Sequence, residues 1–257
     1  MRTESPKPGL NLASATHIGG RTANADAACV EHNELGAAAA VVDGIGSSPA
    51  VVTAAHRAAQ TAALVASHRG AQAGIMAAAD TMPDYPGAPN AVAAVASIEP
   101  GGRIEIAHVG DAAVWTWSHT AGLRRWTVDQ TAGEHIAHML HNPGLTATGR
   151  AALDKVSAAV DVLSDYVLNG LVYATVSTVS WTPLRGQDAE ADTVLLTSDG
   201  VHKRLTAEQI AALAGEHAGQ AQQLANALVT TAVGASSAAP DEEADNATAA
   251  VIWLARS

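Results

Sequence analysis

The chain contains no phenylalanine, and aromatic residues make up only 3% of its 257 positions. Bulk in any core must therefore come from Val, Leu, Ile and the five tryptophans, on a background of alanine. A single cysteine, Cys29, excludes an internal disulfide. It lies in a strand-like run, AACVEH, without the helix N-terminus or cationic neighbours that activate a thiol, so a buried structural role is expected. No apolar run approaches the ~18 residues of a membrane span. The opening segment, MRTESPKPGLNLA, has no apolar stretch of the secretory kind, so a cytoplasmic location is expected, with fraying up to about Gly9. Basic residues are also scarce. Fourteen Lys and Arg stand against 25 Asp and Glu, a formal charge of −11, which argues against a nucleic-acid partner and against adhesion to an anionic membrane. A phosphorylated substrate stays open, because bound metals and one Arg reverse the local sign.

Neither an internal repeat nor a linker is evident, so residues 1–257 read as one domain. Strand-like runs cover Leu10–Ile18, Ala27–His32 and Gly36–Val42. Ser48 and Pro49 then start an alanine-rich helix over Ala50–Ser67, followed by a short one at Ala71–Asp80. Strands are expected at Ala91–Ile98, Arg103–Val109 and Ala113–Ser118, with a hairpin at Glu99–Gly102 and a short strand at Leu123–Trp126. Helices are expected at Thr131–His141 and Ala147–Leu168, the second interrupted. Strands return at Gly170–Trp181 and Thr193–Thr197. Helices follow at Ala207–Glu216, capped by Thr206, and at Gly219–Val233. An acidic loop, Ala239–Asp245, leads to a last strand at Ala247–Ala255. Strands cluster as hairpins with helices between the clusters, which favours two antiparallel sheets covered by helices over a doubly wound parallel sheet.

Four aspartates stand at the ends of these runs. Asp43 and Asp199 each close an apolar run and precede Gly (VVDGIG, LLTSDGV), while Asp26 and Asp245 each precede one (NADAACV, DNATAAV). A strand that ends in a carboxylate and a tight turn points that carboxylate out of a hydrophobic scaffold. Gathered together, such groups would repel by about 4 kcal/mol per close pair near a protein surface. Hard divalent cations bound through oxygen ligands relieve this. The pattern points to metal-dependent hydrolysis of a phosphoryl group. Turn formation and helix capping are the plainer reading of each Asp taken singly.

With these residues in place, the chain resembles the metal-dependent protein phosphatase 2C (PPM) family in its compact bacterial form. The resemblance rests on six blocks: Arg21 to Asp26 in RTANAD, Asp43-Gly44-Ile45-Gly46, Val109-Gly110-Asp111-Ala112, Thr127-Val128-Asp129-Gln130, Ser198-Asp199-Gly200 and Asp245-Asn246-Ala247-Thr248. They run in family order from about Gly19 to Ile252. The resemblance implies an α+β fold, a four-layer α-β-β-α sandwich of two mainly antiparallel sheets, with a flap-like insertion at roughly residues 130–170. It implies a serine/threonine protein phosphatase in bacterial signalling, acting through a metal-bridged hydroxide on a phosphorylated protein. A monomer is expected. The cofactors would be Mn2+ or Mg2+, two core ions and a looser third. Asp43 would lie between the core ions, with Asp199 and Asp245 on one and the Gly44 carbonyl on the other. Asp26 would bind through water, Asp111 would hold the third ion, and Arg21 would clamp the phosphate.

Four departures from the family pattern stand out. Ala25 replaces a Glu that helps hold metal-bound water, and Lys203 stands where an acidic residue often does. Ser47 and Ser48 follow the first Asp-Gly block in place of Gly and His, and Pro89-Asn90-Ala91 replaces a Gly-Thr-Thr. Ala25 and Lys203 motivate an alternative, a pseudophosphatase that keeps the fold as a binding module. An N-terminal-nucleophile hydrolase shares the layering but needs a processing site that nothing marks. Glu134, His135, His138 and His141 form a second cluster, without the H-E-x-x-H pattern, and read as exposed flap residues. Trp115 and Trp117, two apart on a strand, read as packing.

Overall fold

The computed structural model of the protein describes residues 9–160, 163–237 and 244–255. The fraying expected before Gly9 and most of the acidic loop from Ala239 lie outside them. The chain opens with β1 (Gly9–His17), β2 (Asp26–Asn33) and β3 (Gly36–Gly44), followed by α1 (Pro49–Arg69) and α2 (Ala71–Ala79). Next come β4 (Ala91–Ile98), β5 (Ile104–Val109), β6 (Ala113–Ser118) and β7 (Gly122–Arg125). The flap stretch holds α3 (Ala132–Leu140) and α4 (Ala147–Val160). The chain closes with β8 (Ser180–Pro183), β9 (Thr193–Thr197), α5 (Asp199–His202), α6 (Ala207–Glu216), α7 (Ala221–Ser237) and β10 (Ala247–Ala255).

The strands form two five-stranded sheets, ordered β1-β10-β9-β6-β7 and β2-β3-β4-β5-β8. Every pairing is antiparallel. Their facing sides enclose one core, where Val41, Ile98, Ile106, Val194, Leu196 and Ile252 meet. The outer face of the second sheet is covered by α1 and α2, and that of the first by α6 and α7. The result is a four-layer α-β-β-α sandwich. It explains why β4, β5, β6 and β9 are buried along their whole length, with no solvent face to produce an alternating pattern.

Alanine does the work that larger side chains do elsewhere. Ala38, Ala40 and Val42 of β3 meet Ala55, Ala58, Ala59 and Ala62 of α1. The buried positions of α1 recur at three- and four-residue spacing, the helical period. Small residues on both sides let helix and sheet approach closely. Ser48 caps α1 by accepting from the Val51 amide at 3.3 Å, and Pro49 opens the first turn. The loop between Asp43 and this cap is therefore held at both ends.

Two stretches depart from their sequence pattern. The helix expected over Ala147–Leu168 ends at Val160, and Val167 instead forms an isolated bridge to Thr131, the cap of α3. Gly170–Trp181 is not a continuous strand. A 3₁₀ turn occupies Leu171–Tyr173, and only Ser180–Pro183 pairs, at the edge against β5. The Asn90 side chain accepts from the Val172 amide at 3.1 Å, and Thr178 accepts from the Thr175 amide at 2.8 Å. These side-chain bonds take backbone groups a ladder would need, and they override β propensity. Among the described residues, no helix is long and apolar enough to cross a membrane.

Candidate metal centre

The centre is assembled where strands of both sheets begin or end. Asp26, the first residue of β2, lies directly opposite Asp43 near the end of β3. Asp199 begins α5 immediately after β9, and Asp245 precedes β10, the neighbour of β9 in the other sheet. Two glycines make these junctions possible. A Cβ on Gly44 would stand 2.6 Å from Val51 Cγ1 and 2.8 Å from the Ala25 carbonyl oxygen. A Cβ on Gly200 would stand 1.9 Å from the Asn246 carbonyl oxygen. The Gly after Asp199 is thus dictated by the close passage of the chain entering β10.

Burial and mutual repulsion govern the carboxylates. Asp26 is 2% exposed, and its Oδ2 has no hydrogen-bond partner. Burial pushes its pKa up to about 6, against the opposing hydroxyls of Ser198 and Thr248, and the Asp199 charge adds to the rise. Burial also raises Asp43 well above the usual carboxylate range, reinforced by the charges of Asp26, Asp199 and Asp111. Burial would raise Asp199 as well, but the Lys203 ammonium, together with a hydrogen bond to Asp43 and the nearby His202, holds that group below its ordinary value.

Two cations face this cluster. Arg21 Nη2 donates to Asp245 Oδ2 at 2.9 Å, with both side chains partly exposed. Lys203 Nζ lies 3.1 Å from Asp199 Oδ2 and 3.2 Å from Asp111 Oδ2. Burial would lower the lysine pKa, but Asp199 and Asp111 more than offset this and keep it charged. Arg21, Asp43, Gly44, Ser47, Asp199 and Asp245 line a polar cleft of about 170 Å³. That is many times the ~10–15 Å³ one water needs by such a measure. Asp111 lies outside this lining, buried at the turn between β5 and β6.

The residues suit hard divalent ions in kind, being all oxygen donors with one buried carboxylate oxygen left orphaned. Among the described residues, no three His, Cys, Asp or Glu side chains converge as they stand into a finished metal cage. Asp245 and Asp199 are turned instead toward Arg21 and Lys203. Ala25 offers only its backbone: its amide donates to Asn246 Oδ1 at 2.8 Å, and its carbonyl accepts from Gly44.

Residues outside the expected set carry much of the construction. Asn246 also donates to the carbonyls of Ile18 at 2.8 Å and Ala23 at 3.1 Å, clipping the Arg21 loop to the start of β10. Ser198 and Thr248 exchange bonds of 2.9 and 3.0 Å that join β9 to β10. Gln130 accepts from the Gly110 amide at 2.9 Å and donates to the Thr178 carbonyl at 2.9 Å, fastening the Asp111 turn to the segment before β8. In sequence these look like ordinary turn and strand polar residues; the only signal was their adjacency to the Asp blocks. Glu134, His135, His138 and His141 are exposed. Trp115 and Trp117 are buried against α6 and α7, and Trp115 Nε1 donates to Thr197 at 3.2 Å.

No protein-family model matches the chain, and no curated protein matches it either. Solved structures do match. The serine/threonine phosphatase of S. agalactiae aligns with a TM-score of 0.70 at 16% identity, over 96% of this chain and 100% of that one. Serine/threonine phosphatase Stp1 from Staphylococcus aureus aligns at 0.69 and 15% identity, over 99% and 98%. The chain has the PPM phosphatase fold. A third PPM-fold structure, the catalytic domain of the serine/threonine phosphatase PstP in complex with two manganese ions, aligns at 0.62 and 20% identity, over 96% and 99%. At such identities the likeness is one of fold. The PPM fold accounts for the two antiparallel sheets and the outer helices.

Proposed function

We propose that the chain is a divalent-metal-dependent phosphatase that hydrolyses phosphoserine or phosphothreonine in proteins. The observation that carries this reading is one polar cleft lined by Asp43, Asp199 and Asp245 from both sheets, with Arg21 at its rim and Asp26, one oxygen orphaned, directly opposite Asp43. The fold shared with serine/threonine phosphatases, one of them in complex with two manganese ions, supports it.

Asp43, Asp199, Asp245 and the Gly44 carbonyl would hold the ions, with Asp26 behind them. Manganese or magnesium bound there supplies charge to offset the carboxylates, polarises a phosphoryl group and makes water more acidic. The chain's own residues do the rest. Arg21 presents a planar guanidinium at the cleft, suited to two oxygens of a phosphomonoester. It is paired with Asp245, and it can turn to phosphate once Asp245 turns to an ion. Both side chains are partly exposed, at 47% and 37%, so a phosphorylated side chain carried on a protein surface can reach them. No cysteine lines the cleft: Cys29 lies within β2, half-buried, and burial raises its thiol pKa. This fits direct attack by water, without a thiol-bound phosphoryl intermediate.

Purified protein should hydrolyse an aryl phosphate and a phosphothreonine peptide with Mn2+ or Mg2+, and lose that activity in chelator. Asp43→Asn should be inactive yet folded. Arg21→Ala should raise KM roughly 10- to 100-fold with a smaller fall in kcat, because a charge-assisted hydrogen bond contributes ~1.5–3 kcal/mol. Arg21→Lys should recover part of the loss. Turnover that resists chelator would overturn the metal-dependent reading, and aryl phosphate kinetics unchanged in Arg21→Ala would remove Arg21 from the site.

A further inference from the structure

The cations in the centre are unevenly placed. Asp26 and Asp43 face each other at the ends of β2 and β3, and Asp26 Oδ2 has no partner. Asp111 and Asp199 are served by one ammonium, Lys203 Nζ, at 3.2 and 3.1 Å. The same ammonium lies 3.7 Å from Asp165, in the segment that follows α4. That segment is itself held in place, since the amides of Ala132 and Gly133 donate to the carbonyls of Tyr166 and Ser164, each at 2.9 Å. Lys203 is not a stray surface side chain. It follows α5 directly, its amide donates to the Asp199 carbonyl at 2.9 Å, and only about a third of its side chain is exposed. Its position one turn beyond Asp199 aims its ammonium back at that carboxylate.

We infer that Lys203 is a tethered cation that fills the position between Asp111 and Asp199, taking one oxygen of each, so that divalent ions load only on the core side, at Asp43, Asp245 and the other oxygen of Asp199. Two reasons support this. An ammonium and a divalent ion cannot both be held by the same pair of oxygens, because like charges at that separation repel. And Asp111 is buried, so its charged form needs a cation beside it; removing one partner of a buried ion pair leaves an uncompensated charge. A lysine serves that need at any metal concentration. Lys203 is thus a positioning residue that sets how many ions the centre takes and ties the Asp165 segment to it. The inference rests on the phosphatase reading for the core ions, but it is tested by a difference between variants and not by activity.

The experiment counts Mn2+ bound per chain by equilibrium dialysis and elemental analysis, with thermal unfolding alongside, for the wild type, Asp111→Asn, Lys203→Gln and the double variant. Asp111→Asn should bind as many ions as the wild type, because Asp111 serves the lysine. Lys203→Gln should bind one more ion, and Mn2+ should raise its Tm by more than that of the wild type. The extra ion should disappear in the double variant. A wild type that binds no Mn2+ would sink the phosphatase reading, while an ion gained by Lys203→Gln over that baseline would still uphold the inference. An unchanged count in Lys203→Gln, or an ion lost in Asp111→Asn alone, would overturn it. Should Lys203→Gln fail to fold without metal, the Asp111→Asn count decides the matter.

Discussion

A carboxylate placed like Asp26 is under strain of a specific kind: it is buried, it faces Asp43, and one of its oxygens has no partner. Its pKa is about 6 in the folded chain against an ordinary 3.8, so the folded state binds that proton more tightly than the unfolded one. The stability this contributes is full below about pH 4 and is lost as pH rises through about 6. Asp43, raised by burial and the neighbouring charges, adds to this loss as pH rises. Asp199 runs the other way: its lowered pKa contributes stability above the ordinary range that is lost on acidification. The contribution of Asp26 is isolated by comparison with Asp26→Asn. In chelator, the variant should be more stable than wild type at pH 7.5 by about 3 kcal/mol, since each pKa unit is about 1.4 kcal/mol, and the gain should fade towards pH 4. Denaturant unfolding at the two pH values measures it, and parallel curves would refute the assignment. The aspartates were legible in the sequence because each adjoins an apolar run and a turn. Lys203 was legible as a cation standing where an acidic ligand is expected, which weakens a third site at Asp111; its direct pairing with Asp111, 92 positions away, was not, because only the fold brings the two side chains together.

The junctions between elements decide where those carboxylates point. At the start of α5, the space for a Gly200 side chain is filled by the Asn246 carbonyl, 1.9 Å from where a Cβ would sit. That neighbour is backbone and cannot rotate away. Gly200→Ala should therefore destabilise the protein by at least ~1–3 kcal/mol, the usual scale of overpacking, and should weaken Mn2+ binding by shifting Asp199 against Asp245. A Tm and an Mn2+ titration both equal to wild type would contradict this. At the start of β10, the Asn246 side chain makes three hydrogen bonds to the loop that carries Arg21. Asn246→Ala should lower stability by roughly 2–4 kcal/mol, because partly buried backbone groups lose partners worth ~1–3 kcal/mol each. It should also speed amide hydrogen exchange across residues 19–25 and raise the KM for aryl phosphate. Unchanged exchange there would show that the loop is held by other means. Strands and caps were readable at this scale to within a residue or two, since Ser48, Pro49 and Thr206 are local signals. The stretch from Gly170 to Val179 was misread because Asn90, some eighty positions earlier, captures its backbone.

Across the whole molecule, the absence of phenylalanine and the abundance of alanine have one consequence: layers that lie close together. Ala-on-Ala contact between β3 and α1 fixes the Asp43 loop against the Ser48 cap, while Val, Leu and Ile fill the space between the sheets. The layered architecture was legible from the clustering of strands. The strand order that puts β10 between β1 and β9 was not, because it depends on contacts no local pattern records; that Asp199 and Asp245 meet was implied only by the family resemblance. The net charge of −11 leaves the cleft dependent on a few cations for its grip on an anionic group. The account's central claim is that the Asp43 cluster is a divalent metal centre. Anomalous diffraction from crystals grown with Mn2+ tests it most directly. The account predicts two strong peaks at Asp43, with Asp245 turned from Arg21 toward them, Asp199 still paired with Lys203 through one oxygen and reaching an ion through the other, and no peak between Asp111 and Asp199. A map with no peak at Asp43, or with manganese held only by His135 and His138, would contradict it.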